Sequence, residues 1–311
     1  MTSDITIFDR RVLRQRRARS ARRLVNHDFL LRHAAEEVRD RLQAINRTFP
    51  VALDLGCHSG GFGQLAQKTW FNEKIGLLIN GDTCFDMVRQ ANSPRLVLDE
   101  ECLPLAPESL NLVISLLTLH WVNDLPGALW QIRRALQPDG LFVGALFGGN
   151  TLTELRQALT EAELDMEGGA SPRISPFADV RALGGLLQRA EFALPVVDTD
   201  RLTVTYAHPL KLMHELRGMG ETNVLIDRRR TPLRRATLQR ACEIYQEKFS
   251  DHEGRIKATF EIIYMTGWAP HESQQKPLRP GSAATRLADA LGVEELPTGD
   301  NATPAPDKGK T

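Results

Sequence analysis

The chain has 311 residues, and its 39 Lys and Arg are matched by 39 Asp and Glu, so the formal net charge is zero. That length supports one large or two small domains with a real core. The charge balance gives no field to draw the chain to nucleic acid, and no apolar run reaches the roughly 18 residues of a membrane span. The four cysteines, Cys57, Cys84, Cys102 and Cys242, form no C-x-x-C pair, so neither a zinc ribbon nor a redox pair is suggested, and they read as reduced, buried thiols of a cytosolic protein.

Residues 1–46 read as a basic arm and helix. Arginine is dense at Arg10, Arg11, Arg14, Arg16, Arg17, Arg19, Arg22 and Arg23. The density is like that of a mitochondrial presequence, but Asp4 and Asp9 come early and argue against one, and the apolar core of a secretory signal is lacking. Two readings stay open: a solvated basic helix, or a lid or docking arm for an acidic partner. Over residues 28–45, Leu31, Ala34, Ala35, Val38, Leu42 and Ile45 recur at helical spacing, which predicts an amphipathic helix on the side of a sheet. Phe49-Pro50 ends it.

Residues 47–150 alternate strand and helix. Val51–Leu55 is a strand running into a glycine-rich turn, and Phe62 to Thr69 follows as a helix. Further strands are expected at Ile75–Ile79, Arg95–Asp99, Leu110–Leu117 and Leu141–Phe147, the fourth almost continuously apolar as in a doubly covered parallel strand. A short helix is expected over Cys84–Ala91. Asp124 caps another, with Pro126 in its first turn, that runs to about Leu136. Gln137-Pro-Asp-Gly140 reads as a turn. This rhythm means βαβ units and a parallel sheet.

Residues 151–270 complete the sheet with inserted helices. Thr151 and Glu154 fit a capping box opening a helix to about Glu167, stopped by Gly168-Gly169. Ser171-Pro-Arg-Ile-Ser-Pro176 is a rigid loop. Helices are expected over Phe177–Ala190, His208–Arg217 and Thr231–Phe249, and strands over Pro195–Tyr206 and Arg255–Trp268, the last antiparallel to its neighbour. Residues 271–311 read as a tail that is mostly disordered, from about Ala284 onward. There is no internal repeat and no heptad run.

In an open α/β sheet, ligands bind outside the carboxyl ends of the strands. The spacing D-x-G-x-x-x-G, from Asp54 through Gly56 to Gly60, fits an S-adenosylmethionine site better than a dinucleotide site. The glycines would let the backbone approach a ligand, because they have no Cβ. His58 stands where a second glycine is expected. Strand 2 is followed by Asp82, which can accept from both ribose hydroxyls; strand 3 ends at Asp99-Glu100, suited to an adenine amino group; strand 4 ends at Ser115, where the methionine end would lie. A tight turn without a ligand is the alternative. His120-Trp121 lies just past strand 4, either as a packed corner or as a substrate-facing wall with His120 accepting a proton. An iron triad needs two histidines and a carboxylate; no second histidine accompanies His120 and Asp124, and no metal is expected.

The run Leu119-His-Trp-Val-Asn-Asp-Leu-Pro-Gly-Ala128, after Asp99-Glu-Glu-Cys-Leu-Pro104, resembles a subgroup of class I adenosylmethionine-dependent methyltransferases. Two branches share it: the malonyl-carrier-protein methyltransferase of biotin synthesis and the fifth assembly factor of mitochondrial respiratory complex I. Ile7-Phe-Asp-Arg10, Phe147-Gly-Gly-Asn-Thr-Leu-Thr-Glu-Leu-Arg156, Ile174-Ser-Pro-Phe177, Val197-Asp-Thr-Asp200, Met219-Gly-Glu-Thr-Asn223, Tyr264-Met-Thr-Gly-Trp268 and His271-Glu-Ser-Gln274 resemble the complex I factor. The resemblance implies a Rossmann-like α/β fold, a seven-stranded mostly parallel sheet with an antiparallel late strand. It implies S-adenosylmethionine as cofactor, and a complex I peripheral-arm subunit as protein substrate, hydroxylated on an arginine. The expected location is the cytoplasm of a bacterium, or the mitochondrial matrix in a eukaryote, with peripheral membrane association open. The family usually has glycine at the position of His58 and aspartate at that of Asn111. A plain methyltransferase on a small carboxylate or carrier-bound thioester, and a non-catalytic chaperone with a degenerate site, are the alternatives.

Overall fold

The computed structural model describes residues 6–64, 69–275, 285 and 287–292. The chain divides into two compact units, residues 1–271 and 272–311. In the first, α1 (Arg10–Ser20) is opened by Asp9, whose carboxylate accepts from the Val12 amide at 3.0 Å. That cap is the structural use of one of the two early acids. A single turn, Leu24–Asn26, leads to α2 (Phe29–Ala44). Then come β1 (Phe49–Leu55), α3 (Gly61–Gln64), α4 (Thr69–Lys74), β2 (Ile75–Asp82), α5 (Phe85–Val88), β3 (Arg95–Val97) and β4 (Leu110–Leu116). The chain continues through α6 (Leu125–Ala135), β5 (Leu136–Phe147), α7 (Thr153–Glu167), α8 (Val180–Arg189), β6 (Ala193–Tyr206), α9 (Pro209–Met219), α10 (Arg235–Phe249) and β7 (Ile256–Trp268).

The strands form one seven-stranded sheet in the order β3-β2-β1-β4-β5-β7-β6. β1 to β5 pair in parallel, and β7 is antiparallel to both β5 and β6. Strand alternation splits the core between the two faces. Leu112, Ile114 and Val143 join Val38 and Leu42 of α2, Leu155 of α7 and Ile244 of α10 on one side. Val113 and Phe142 join Leu129 and Ile132 of α6 and Leu183 and Leu187 of α8 on the other.

Several local expectations are corrected. Gln137–Gly140 is not a turn between elements but lies inside β5. The register jumps from Leu110↔Leu136 to Leu112↔Leu141, and Asp139 takes a left-handed φ of 65°, so the turn residues are absorbed as a bulge. Thr151 and Glu154 form no capping box. The Thr151 hydroxyl donates to the Glu261 carbonyl at 3.0 Å, and the Glu154 carboxylate accepts from the Thr259 amide at 3.1 Å and its hydroxyl at 2.5 Å. Both residues are spent on fastening α7 to β7, and the residue ahead of α7 is Leu152, left-handed at φ 55°. Gly168 does end α7, with φ 72°. The helix over Cys84–Ala91 shortens to α5, and that over Phe177–Ala190 to α8, which Asp179 caps. Asn111, in place of an aspartate, accepts from the Val51 amide at 3.0 Å and donates to Gln137 at 2.8 Å, tying β4 to its surroundings. All four cysteines are free, but Cys102 is exposed rather than buried.

Residues 65–68 of the expected helix after the glycine turn, and most of the expected tail, lie outside the described residues; within the second unit a short helix α11 (Leu287–Leu291) is described. Among the described residues no helix is long and apolar enough to cross a membrane.

Candidate functional site

Strand order reverses at β1, which has β2 on one side and β4 on the other. That switch point opens a crevice at the carboxyl ends of the strands, and the glycine turn sits in it. The amides of Gly56 and Cys57 both donate to the Gly81 carbonyl, at 2.7 and 2.9 Å, which folds the turn against the end of β2. Gly56 and Gly60 have φ of +74° and +81°. A Cβ on Gly56 would stand 2.3 Å from Thr118, and one on Gly60 2.8 Å from Ala91. These two glycines are therefore required by the chain's own packing. Within this turn, the glycine with nothing within 4 Å of a built Cβ is Gly61, and it lines the cavity.

That cavity, of about 290 Å³, is walled by Asp54, Gly56, His58, Gly61 and Leu116 on the sheet side and by Leu31 and Arg32 of α2 on the other. Asp54 is fully buried, and neither of its carboxylate oxygens has a hydrogen-bond partner. Burial, then the neighbouring Asp82 charge, pushes its pKa up to about 8. His58 takes a left-handed φ of 51°. Its amide donates to Asp82 at 3.0 Å, and its Nε2 contacts the Leu116 carbonyl at 3.1 Å, leaving Nδ1 unpartnered. Burial, then the Arg17 charge, lowers its pKa to about 4, so the ring is neutral. The imidazole forms part of the cavity wall and leaves the space beside it open.

Asp82, Asp99 and Glu100 come together at the ends of β2 and β3, but they do not line the open cavity. The amino-terminal arm covers them. Arg17, 1% exposed, places Nη1 at 3.6 Å from Asp82 and 3.8 Å from Glu100, and Nη2 donates to Thr118 at 2.9 Å. Arg10 pairs with Asp99 at 2.5 Å and with Glu100. This overturns the solvated basic helix along one face of α1: the acidic partner of the arm includes the chain's own strand-end acids. The arm is fastened at its start as well. Asn123 accepts from the Ile7 and Phe8 amides at 2.8 and 2.7 Å, Phe8 meets Trp121 edge-on with ring centres 5.3 Å apart, and Phe8 bridges to Leu225. Ser115, also expected at the site, is fully buried and donates to the Leu55 carbonyl at 2.8 Å, so its hydroxyl ties β4 to β1.

A second cavity, of about 300 Å³, opens beyond β4 and β5, lined by Trp121, Phe147, Phe177, Arg173, Arg217 and Glu221 among others. Glu221 accepts from Trp121 Nε1 at 2.8 Å and meets His120 Nε2 at 3.3 Å. Burial lowers the His120 pKa and keeps the ring neutral. Burial also opposes the charge on Glu221, but the His120 hydrogen bond and surrounding positive charge outweigh it, and its pKa lies below the ordinary value. His120 and Trp121 thus stand where expected, past β4. What residue reading missed is their partner. Glu221 lies 100 positions from Trp121 in the chain, inside the Met219–Asn223 run, and no local pattern marks it as a site residue.

The strand order, the switch-point crevice and the helix-covered parallel sheet define the class I methyltransferase fold. Residues 53–144 match the methyltransferase domain family, and the fold is that of the Bacillus subtilis protein YcgJ, with a TM-score of 0.52 at 15% identity over 77% of this chain and 99% of that one. The chain is 41% identical to human "Arginine-hydroxylase NDUFAF5, mitochondrial" over 94% of its own length and 85% of the relative's, and 40% identical to the zebrafish (Danio rerio) protein of that name over 94% and 92%. It belongs to the NDUFAF5 family. The malonyl-acyl-carrier-protein O-methyltransferase of Xylella fastidiosa is more distant, 32% identical over 85% of this chain and 89% of that one.

Proposed function

We propose that this protein binds S-adenosylmethionine in the switch-point crevice and acts in the assembly of respiratory complex I by modifying an arginine side chain of a peripheral-arm subunit. The cofactor reading rests above all on Asp54. A buried carboxylic acid with both oxygens unpartnered, on the wall of a cavity beside an unobstructed glycine, suits the cationic amino group of an amino acid. Gly61 lies on the same wall and lets the backbone approach its carboxylate end. Asp82 suits the ribose hydroxyls and Asp99 the adenine amino group, once the arm arginines yield them. Bound there, the cofactor would supply an electrophilic methyl on a sulfonium; the protein would contribute position and exclusion of water. The arginine reading rests on the name of the curated relatives and on their identity across nearly the whole chain. Complex I would place the protein in the mitochondrial matrix of a eukaryote or the cytoplasm of a bacterium, with its protein substrate.

The test has two parts. Calorimetric titration of the full chain with adenosylmethionine should show micromolar binding; no binding would favour an assembly chaperone with a closed site. A deletion strain should lose complex I activity, and mass spectrometry should show a subunit arginine modified in the wild type and unmodified in the deletion. Normal complex I and identical peptide masses would overturn the arginine reading. A second reading, methyl transfer to a small carboxylate or carrier thioester, is favoured by Arg217 on the wall of the second cavity, a cation suited to a carboxylate. Dependence of the deletion strain on added biotin would support it.

A further inference from the structure

The second cavity carries the chemistry that recognises a guanidinium. Trp121, Phe147 and Phe177 form its aromatic wall, and the buried His120 ring backs them, its centre 5.0 Å from that of Trp121, 4.8 Å from Phe147 and 5.7 Å from Phe177. At the end of that wall is Glu221, whose side chain is 11% exposed. Its Oε2 is occupied by Trp121 and His120; its Oε1 takes no hydrogen bond among the described residues. A planar cation stacked on aromatic faces and paired to one carboxylate is the arrangement arginine favours over lysine. Glu221 also lines a narrow void of about 10 Å³ shared with His58 and Phe147. His58 in turn walls the first cavity. Glu221 therefore stands between the second cavity and the His58 side of the first. Of the two cations on the wall, Arg173 is already neutralised by Glu163. Arg217 is not paired with a carboxylate among the described residues, and it belongs to a second feature.

That feature is a groove of about 690 Å³ between α1 and α9, lined by Arg16, Arg19, Arg23, His27, His214 and Arg217. Among the described residues, none of these four arginines pairs with a carboxylate; Glu215 is taken by His27 at 3.0 Å. Burial, then the charges of Arg228 and Arg19, depresses the Arg16 pKa, as expected where positive charge is uncompensated. In a chain of zero net charge this is a concentrated basic surface. It runs into the second cavity, because Arg217, Thr222 and Asn223 line both.

We propose that Glu221 receives the guanidinium of a substrate arginine and that the basic groove holds acidic residues flanking that arginine in the same polypeptide. The proposal rests on the arginine reading above and assigns it a pocket and a sequence preference. Aromatic faces and one carboxylate bind the side chain; the groove arginines bind its neighbours.

The test uses the full chain and three fluorescent peptides: one arginine between aspartates, the same peptide with citrulline for arginine, and the same arginine between asparagines. Citrulline keeps the shape and removes the charge. The wild type should bind the first at least about tenfold tighter than either of the others. Glu221→Gln should lose the preference for arginine over citrulline. Arg19→Glu with Arg23→Glu, both exposed, should lose the preference for aspartate flanks while keeping that for arginine. Equal binding of the arginine and citrulline peptides by the wild type would overturn the proposal without recourse to any variant, as would indifference to the flanks. Adenosylmethionine titration of the same preparation separates the two ideas: cofactor binding without peptide selectivity leaves the cofactor reading standing and removes this one, and selectivity without cofactor binding does the reverse.

Discussion

Asp54 is a carboxylic acid that the fold keeps neutral near pH 7, with a pKa of about 8 against an ordinary 3.8. Because the folded value is raised, the unfolded chain ionises first. This group's contribution to stability is full below about pH 4 and is lost as pH rises towards 8. Urea titrations across that window should show the decline, and Asp54→Asn should flatten it; an unchanged slope would sink the assignment. Pairing with a cationic amino group would ionise Asp54, so below pH 8 adenosylmethionine should bind with release of a proton. Calorimetry in buffers of unlike ionisation enthalpy reads that release, which Asp54→Asn should abolish along with about tenfold of affinity. His58 poses a different question. Its left-handed backbone costs a residue with a Cβ about 1 kcal/mol, while its ring lines the cavity without closing it. His58→Gly should leave cofactor affinity within about threefold; a gain of tenfold or more would show that the imidazole obstructs the site.

Among the elements, α1 does the most to define the site. It carries the guanidinium groups that pair with Asp82, Asp99 and Glu100, and Arg17, Asp82 and Glu100 are fully buried. Removing one partner of such a group leaves an uncompensated buried charge. Arg17→Met, which keeps the volume, should cost about 3 kcal/mol of stability in the protein without cofactor, measured as a lower urea midpoint at unchanged slope; a loss below 1 kcal/mol would mean that Arg17 is solvated and mobile. The arm also shows why composition misled. Eight arginines in fourteen residues, Arg10 to Arg23, read as a solvated surface, but helical spacing turns Arg10 and Arg17 to one face and Arg16 and Arg19 to another. The first face meets acids 65 to 90 positions away. The Thr151–Glu154 pair misled for a related reason: a threonine and a glutamate three apart suit a cap, yet both satisfy β7 instead, which arrives more than a hundred residues later.

For the whole molecule, the sheet order places the crevice. The parallel strands on either side of β1 splay their ends at the reversal, and the antiparallel β7 and β6 extend the sheet away from it, where α7, α9 and α10 build the wall of the second cavity. A ligand that binds only this folded arrangement must stabilise it: adenosylmethionine at a hundred times its dissociation constant should add about 2.7 kcal/mol. The expected reading is a rise of several degrees in the unfolding temperature. Asp82→Asn should reduce it, and absence of any shift in the wild type at millimolar cofactor would refute the crevice as the binding site.

Much of this was legible in the amino acids. The spacing of apolar residues in α2 and β4, the glycine turn and the acids at Asp54, Asp82 and Asp99 follow from local rules of backbone geometry and hydrogen bonding, which act over a few residues. Those rules sufficed for the parallel sheet, the crevice and the family resemblance. Only the tertiary structure decided which glycine faces open space, that Ser115 is spent on the sheet, that the basic arm closes over the strand-end acids, and that Glu221 completes the His120-Trp121 wall. Each of these depends on which distant segment arrives to satisfy a buried charge or donor. Burial makes such pairing obligatory, but nothing local in the chain names the partner.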